Sequence, residues 1–180
     1  MKIQNLKYEL GIQNEIIVLM VARAIWDKGI REYYEACKIL SSKYKNVKFL
    51  FVGDTDEGNL SCANKEFLTS SNIIWLGHRN DILELTAISD IYVLPSYREG
   101  FGTVVIEASA MKVPTLGTEI YGLADAVQNR CTGILVEPRN SEQLKVAIEE
   151  LISKKDYCKQ LGEQAFVRCQ KEFDSKKVSQ

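Results

Sequence analysis

Glu99 and Glu107 bracket a short glycine and apolar stretch, Glu99-Gly-Phe-Gly-Thr-Val-Val-Ile-Glu107, just after a strand-like run that ends in Leu94-Pro95-Ser96. From Thr103 to Met111 nearly every residue is apolar or small, which predicts a buried helix with a single carboxylate at its centre. An unpaired charge in such a place is costly, so Glu107 should have a partner: backbone groups, an arginine, or the paired hydroxyls of a ligand. Glu99 reads either as an exposed turn acid or as a second ligand contact. Arg23 and Lys28 read either as a solvated surface pair or as cations beside the glycine-rich start of the helix. There the amides of Gly100, Gly102 and Thr103 would help them stabilise a diphosphate. Phe101 fits such a cradle or plain packing.

The remaining chemistry is sparse. His78 is the only histidine, which excludes a metal site built from several histidines, and its Gly-His-Arg-Asn turn identifies no partner nucleophile. Asp54-Thr55-Asp56 is a paired-aspartate sequence after a strand, but Lys65 stands where a calcium loop needs its closing glutamate.

These residues need a scaffold, and the apolar rhythm supplies one. Short apolar runs at 16–21, 47–52, 73–76, 91–94, 114–117 and 133–136 read as strands buried on both faces. Helical stretches at 30–44, 59–69, 81–88, 102–111, 123–128, 141–152 and 156–173 alternate with them, with Ser141 and Glu142 marking one helix start. Residues 1–14 read as polar and irregular. Strands alternating with helices predict an α/β fold, a doubly wound parallel sheet of Rossmann-like type. Ligands bind such sheets beyond the carboxyl ends of the strands. Arg23, Lys28, Gly53, His78, Arg79 and the 96–102 segment all fall at those ends.

Five ordered motifs carry a family resemblance: Val21-Ala-Arg23-Ala-Ile-Trp-Asp-Lys28-Gly29, Leu94-Pro-Ser-Tyr-Arg-Glu99-Gly-Phe-Gly, Ala108-Ser-Ala-Met-Lys-Val-Pro114, Gly122-Leu-Ala-Asp-Ala-Val127 and Thr132-Gly-Ile-Leu-Val-Glu-Pro138. Together they resemble the family 4 retaining glycosyltransferases of GT-B fold, in the carboxyl-terminal, donor-binding half. The resemblance implies that Glu99 meets hydroxyls of the transferred sugar and Glu107 the ribose diol. It implies that Arg23 and Lys28 stabilise the departing diphosphate, and that Gly100, Phe101, Gly102, Thr103, Gly53, His78 and Arg79 line the donor site. The donor would be a nucleotide diphosphate sugar, most commonly a UDP-sugar, and the acceptor a glycan or lipid-linked molecule. An amino-terminal domain bearing the acceptor site would be missing from the chain, so that 1–180 form one domain. No cofactor and no metal are implied; the metal-dependent transferases that use paired aspartates lack this glutamate pair. The sequence departs from the family at Lys112, where glycine is usual, and at Ala124-Asp125, where proline and glutamate are common. Arg98 recurs in relatives that build surface polysaccharides. A non-catalytic nucleotide-sugar binding subunit is the alternative reading, and a plain flavodoxin-like domain would require the glutamate pair to be accidental.

Bulk properties agree. At 180 residues the chain can bury a core without staples. A net charge of −1 with interspersed signs gives no argument for nucleic acid as a partner. Five cysteines without close pairing fit free thiols in a reducing compartment. With no membrane-length apolar run, the expectation is a cytoplasmic protein, peripheral at the membrane only through the missing domain.

Overall fold

The structure, a computed structural model, describes residues 1–100 and 102–178, with side chains through Glu172. Six strands form one parallel sheet: β1 (Ile16–Val21), β2 (Val47–Val52), β3 (Ile74–Trp75), β4 (Ile91–Leu94), β5 (Thr115–Thr118) and β6 (Gly133–Val136), in the order β3-β2-β1-β4-β5-β6. The order reverses between β1 and β4, whose register pairs Val18 with Ile91 and Leu19 with Tyr92. A reversal of this kind opens a crevice at the carboxyl ends of the two strands. The doubly wound α/β architecture is therefore as expected.

Eight helices cover the sheet: α1 (Lys2–Glu9), α2 (Ile30–Lys43), α3 (Lys65–Leu68), α4 (Ile82–Ala87), α5 (Thr103–Ala110), α6 (Leu123–Ala126), α7 (Ser141–Ser153) and α8 (Lys155–Val178). Alternation along β1 shows why the strands read as unbroken apolar runs. Ile16, Val18 and Met20 enter a core shared with α2, α7 and α8, while Ile17 and Leu19 enter a second core with α1, α4 and α5. Both faces are buried, so no polar alternation survives.

Three local expectations are corrected. Residues 1–14 are not irregular throughout: α1 forms because Leu6 buries in the second core beside Leu85 and Ile88, and Glu9 pairs with Arg79 at 2.8 Å. One apolar contact and one ion pair leave little pattern in the sequence. The stretch 59–69 is helical only as α3. Trp26 donates to the Ser61 carbonyl and Ala63 to the Ala24 carbonyl, and these long-range bonds take the backbone that a longer helix would use. Its start is set by Asn64, whose side chain accepts from the Phe67 amide. The cap of α7 is likewise Asn140, accepting from Gln143 at 2.9 Å, rather than Ser141.

Candidate donor site

Gly29 is the hinge on which the site is assembled. It follows the single 3-10 turn Trp26–Lys28 with φ of 75° and opens α2. A Cβ there would lie 2.0 Å from the Pro95 carbonyl oxygen, so only glycine lets the Lys28 turn pack on the loop after β4. On the neighbouring strand end, a Cβ on Gly53 would meet the Ala22 carbonyl oxygen at 1.7 Å. That close approach brings the loop after β2 against the one carrying Arg23.

The packing places Lys28 opposite Glu99. The ammonium reaches the carboxylate at 2.9 Å, with side chains only 22% and 18% exposed. The same Glu99 oxygen accepts from the Ser96 hydroxyl at 2.6 Å. Ser96 is wholly buried, and its carbonyl accepts from the Thr118 hydroxyl. Sequence reasoning gave Ser96 and Thr118 no role. The only available signal was a serine three residues before the acid, at the end of a strand.

Beyond Glu99 the chain turns into α5. Gly102 precedes the helix with no side-chain cap, and no acid lies in the first turn. Among the described residues, the amides of Thr103 and Val104 donate to no protein acceptor, leaving the helix amino end free for an anion. The proposed contribution of Phe101 lies outside the described residues. Thr103 and Glu107 are four residues apart and share a face of α5.

The expectation of a fully buried α5 is corrected. Val105, Ala108 and Ser109 are buried, whereas Thr103 and Ala110 are exposed and Glu107 is half-buried. One side of the helix opens to solvent, so Glu107 keeps water and needs no protein partner. It has no hydrogen-bond or ion-pair partner among the described residues. Burial, followed by the charges of Glu107 and Glu99, pushes the Tyr92 phenol up, which marks β4 as the element close to both carboxylates.

Arg23, Gly53, His78 and Arg79 line one hollow of about 480 Å³ together with Asp54, Asp56 and Ile82. Lys28 and Glu99 are not among its lining residues. Arg23 is exposed and 3.4 Å from Asp56. His78 stands 3.1 Å from the Asn80 side chain and 3.9 Å from Asp54. The Arg79 guanidinium donates to both Asp81 oxygens, at 2.9 and 2.7 Å, and to Glu9. Its donors therefore tie α1 to the start of α4. Among the described residues, no three His, Cys, Asp or Glu side chains stand together as a metal site.

Comparison with known proteins decides the family. The model for glycosyl transferases group 1 matches residues 2–168. This chain belongs to that family. This group 1 domain is 41% identical over 143 residues to the N,N'-diacetylbacillosaminyl-diphospho-undecaprenol alpha-1,3-N-acetylgalactosaminyltransferase of Campylobacter jejuni, covering 79% of this chain and 37% of the relative. It is 33% identical over 171 residues to the capsular polysaccharide biosynthesis glycosyltransferase CapM of Staphylococcus aureus, covering 94% and 45%. The chain thus spans less than half the length of these curated relatives. Among solved structures, a glycosyltransferase from Rickettsia africae superposes with a TM-score of 0.81 at 30% identity, over 93% of this chain and 46% of that one. The fold is that of the carboxyl-terminal-type domain of GT-B glycosyltransferases.

Proposed function

We propose that this group 1 domain binds a nucleotide diphosphate sugar and serves a retaining transferase that moves a hexose to a glycan or lipid-linked acceptor. The observation that carries the reading is Glu107: a half-buried carboxylate without a protein partner, one turn inside a helix whose amino end is also free. A ribose diol would supply the carboxylate with two charge-assisted hydrogen bonds. The diphosphate would take the α5 amides together with Lys28 and Arg23. The sugar would then lie toward Glu99, on the far side of Lys28.

In this reading the bond from the sugar's anomeric carbon to the diphosphate breaks with its electron pair passing to the phosphate. The acceptor oxygen bonds to the same face, and its proton goes to the departing phosphate oxygen. Lys28, Arg23 and the helix amides stabilise the charge that develops there, and Glu99 supports positive charge at the sugar. The acceptor and the opposite wall of the cleft belong to an amino-terminal domain. The names of the Campylobacter and Staphylococcus relatives support surface-glycan or lipid-linked sugar transfer. They also suggest UDP-N-acetylgalactosamine as a first donor to test, at the cytoplasmic side of a membrane. Among the described residues no helix is long and apolar enough to cross one.

A thermal-shift panel of UDP-, GDP-, ADP- and dTDP-sugars tests the reading. A ligand at about 100 times its dissociation constant stabilises by about 2.7 kcal/mol, a rise in Tm of roughly 5–10 °C for a domain of this size. A panel without any shift contradicts it.

A further inference from the structure

Glu32, on α2, is only 7% exposed. One carboxylate oxygen accepts from the Tyr97 hydroxyl at 2.6 Å, and the other has no partner. A buried carboxylate so poorly satisfied destabilises a fold relative to an apolar side chain of similar size, so its use here points to a role other than stability. Tyr97 is two residues before Glu99. Its amide donates to the Asp27 carbonyl at 2.8 Å, its ring lies 4.4 Å from the Arg139 guanidinium, and the next residue, Arg98, pairs with Asp27 at 2.9 Å. The entry to α2 therefore holds the turn after β4 at two side-chain points, Lys28 to Glu99 and Glu32 to Tyr97.

The two points differ in stiffness. A lysine on its four-carbon stem tolerates many geometries, whereas tyrosine has two side-chain torsions and a rigid ring. With only the Lys28 contact, Glu99 could swing with the ammonium. With the phenol seated on Glu32, the backbone of 96–99 is fixed, and the carboxylate stays where Ser96 and Lys28 share one of its oxygens.

We propose that Tyr97, anchored on Glu32, is a positioning residue of the donor site that sets where Glu99 meets the sugar, without itself touching the donor. This rests on the donor-site reading above for its effect on ligands, but not for its effect on the turn. Burial, and then the Glu32 carboxylate, push the Tyr97 phenol up, so it remains a protonated donor at neutral pH.

The test compares Tyr97→Phe and Glu32→Gln with the parent chain in two measurements: amide hydrogen exchange, and calorimetric affinities for UDP and UDP-N-acetylgalactosamine. In Tyr97→Phe, exchange within 96–99 should rise about ten-fold while β1 and β2 keep parent rates. The preference for the sugar nucleotide over UDP should fall about ten-fold, with UDP affinity held. Glu32→Gln retains an acceptor for the phenol and should stay near the parent in both. If Tyr97→Phe does not fold because Glu32 is left charged and unpaired, the pair Tyr97→Phe with Glu32→Leu removes both polar groups and gives the same two readouts. Parent-like exchange in 96–99 overturns the proposal, as does a loss spread equally over the turn and the strands. Should the parent bind neither ligand, the donor-site reading fails, and the exchange comparison still decides whether Tyr97 holds the turn.

Discussion

The Lys28 ammonium and the Glu99 carboxylate lie 2.9 Å apart across the end of the sheet, where the 3-10 turn before α2 meets the turn after β4. The two are 71 positions apart in sequence. Each is a charge that a sugar nucleotide would recruit, and each holds the other in place without it. Lys28→Ala should therefore weaken UDP binding by about 1.5–3 kcal/mol, the range of a charge-assisted hydrogen bond, and leave uridine affinity within a factor of about two. Calorimetry with the two ligands checks this, and equal losses would assign Lys28 to structure alone.

Glu107→Gln should bind nucleotide more weakly while melting within a degree or two of the parent, because the half-buried carboxylate has no protein partner to lose. Paired melting curves and titrations measure both. A large drop in Tm with unchanged affinity would give the residue a structural role.

Nucleotide binding should persist in excess chelator, since lysine, arginine and helix amides stand where a metal-dependent transferase uses an ion. Asp54 and Asp56 offer the nearest paired carboxylates. Binding that appears only with manganese and disappears in Asp54→Asn would favour those two residues instead.

Arg79→Ala should destabilise the domain by about 1 kcal/mol at neutral pH through its bonds to Asp81 and Glu9. The hydrogen bonds from Arg79 hold the Asp81 carboxyl below its ordinary range. A depressed acid contributes stability that is fully present above its unfolded value, about pH 4, and is lost as pH falls through the folded value. The difference between variant and parent should then shrink below about pH 4 in denaturant titrations. A gap that stays constant into acid would remove Asp81 from the account.

The sheet was legible because strands buried on both faces leave apolar runs with nothing to mask them, as in 16–21, 47–52 and 91–94. Arg23, Gly53, His78 and Arg79 could be gathered from topology alone, since all lie at the carboxyl ends of strands and line one hollow. The bonding of that hollow was not legible. Arg79 spends its donors on Glu9 and Asp81, and Glu9 lies in a helix whose only strong signal is the burial of Leu6. Nor was the half-exposed face of α5, because an apolar sequence does not reveal which neighbour leaves a side uncovered. Ser96, Tyr97 and Glu32 escaped notice for a related reason: their contacts join segments up to 65 positions apart, and no spacing rule reaches that far.

The most direct test of the account is titration of this chain with UDP-N-acetylgalactosamine in chelator, alongside Lys28→Ala and Glu107→Gln. The account predicts saturable one-to-one binding by the parent, weakened about ten-fold or more by each substitution, with the folds intact. Absence of binding across UDP-, GDP-, ADP- and dTDP-sugars, or affinities unchanged in both variants, would contradict it.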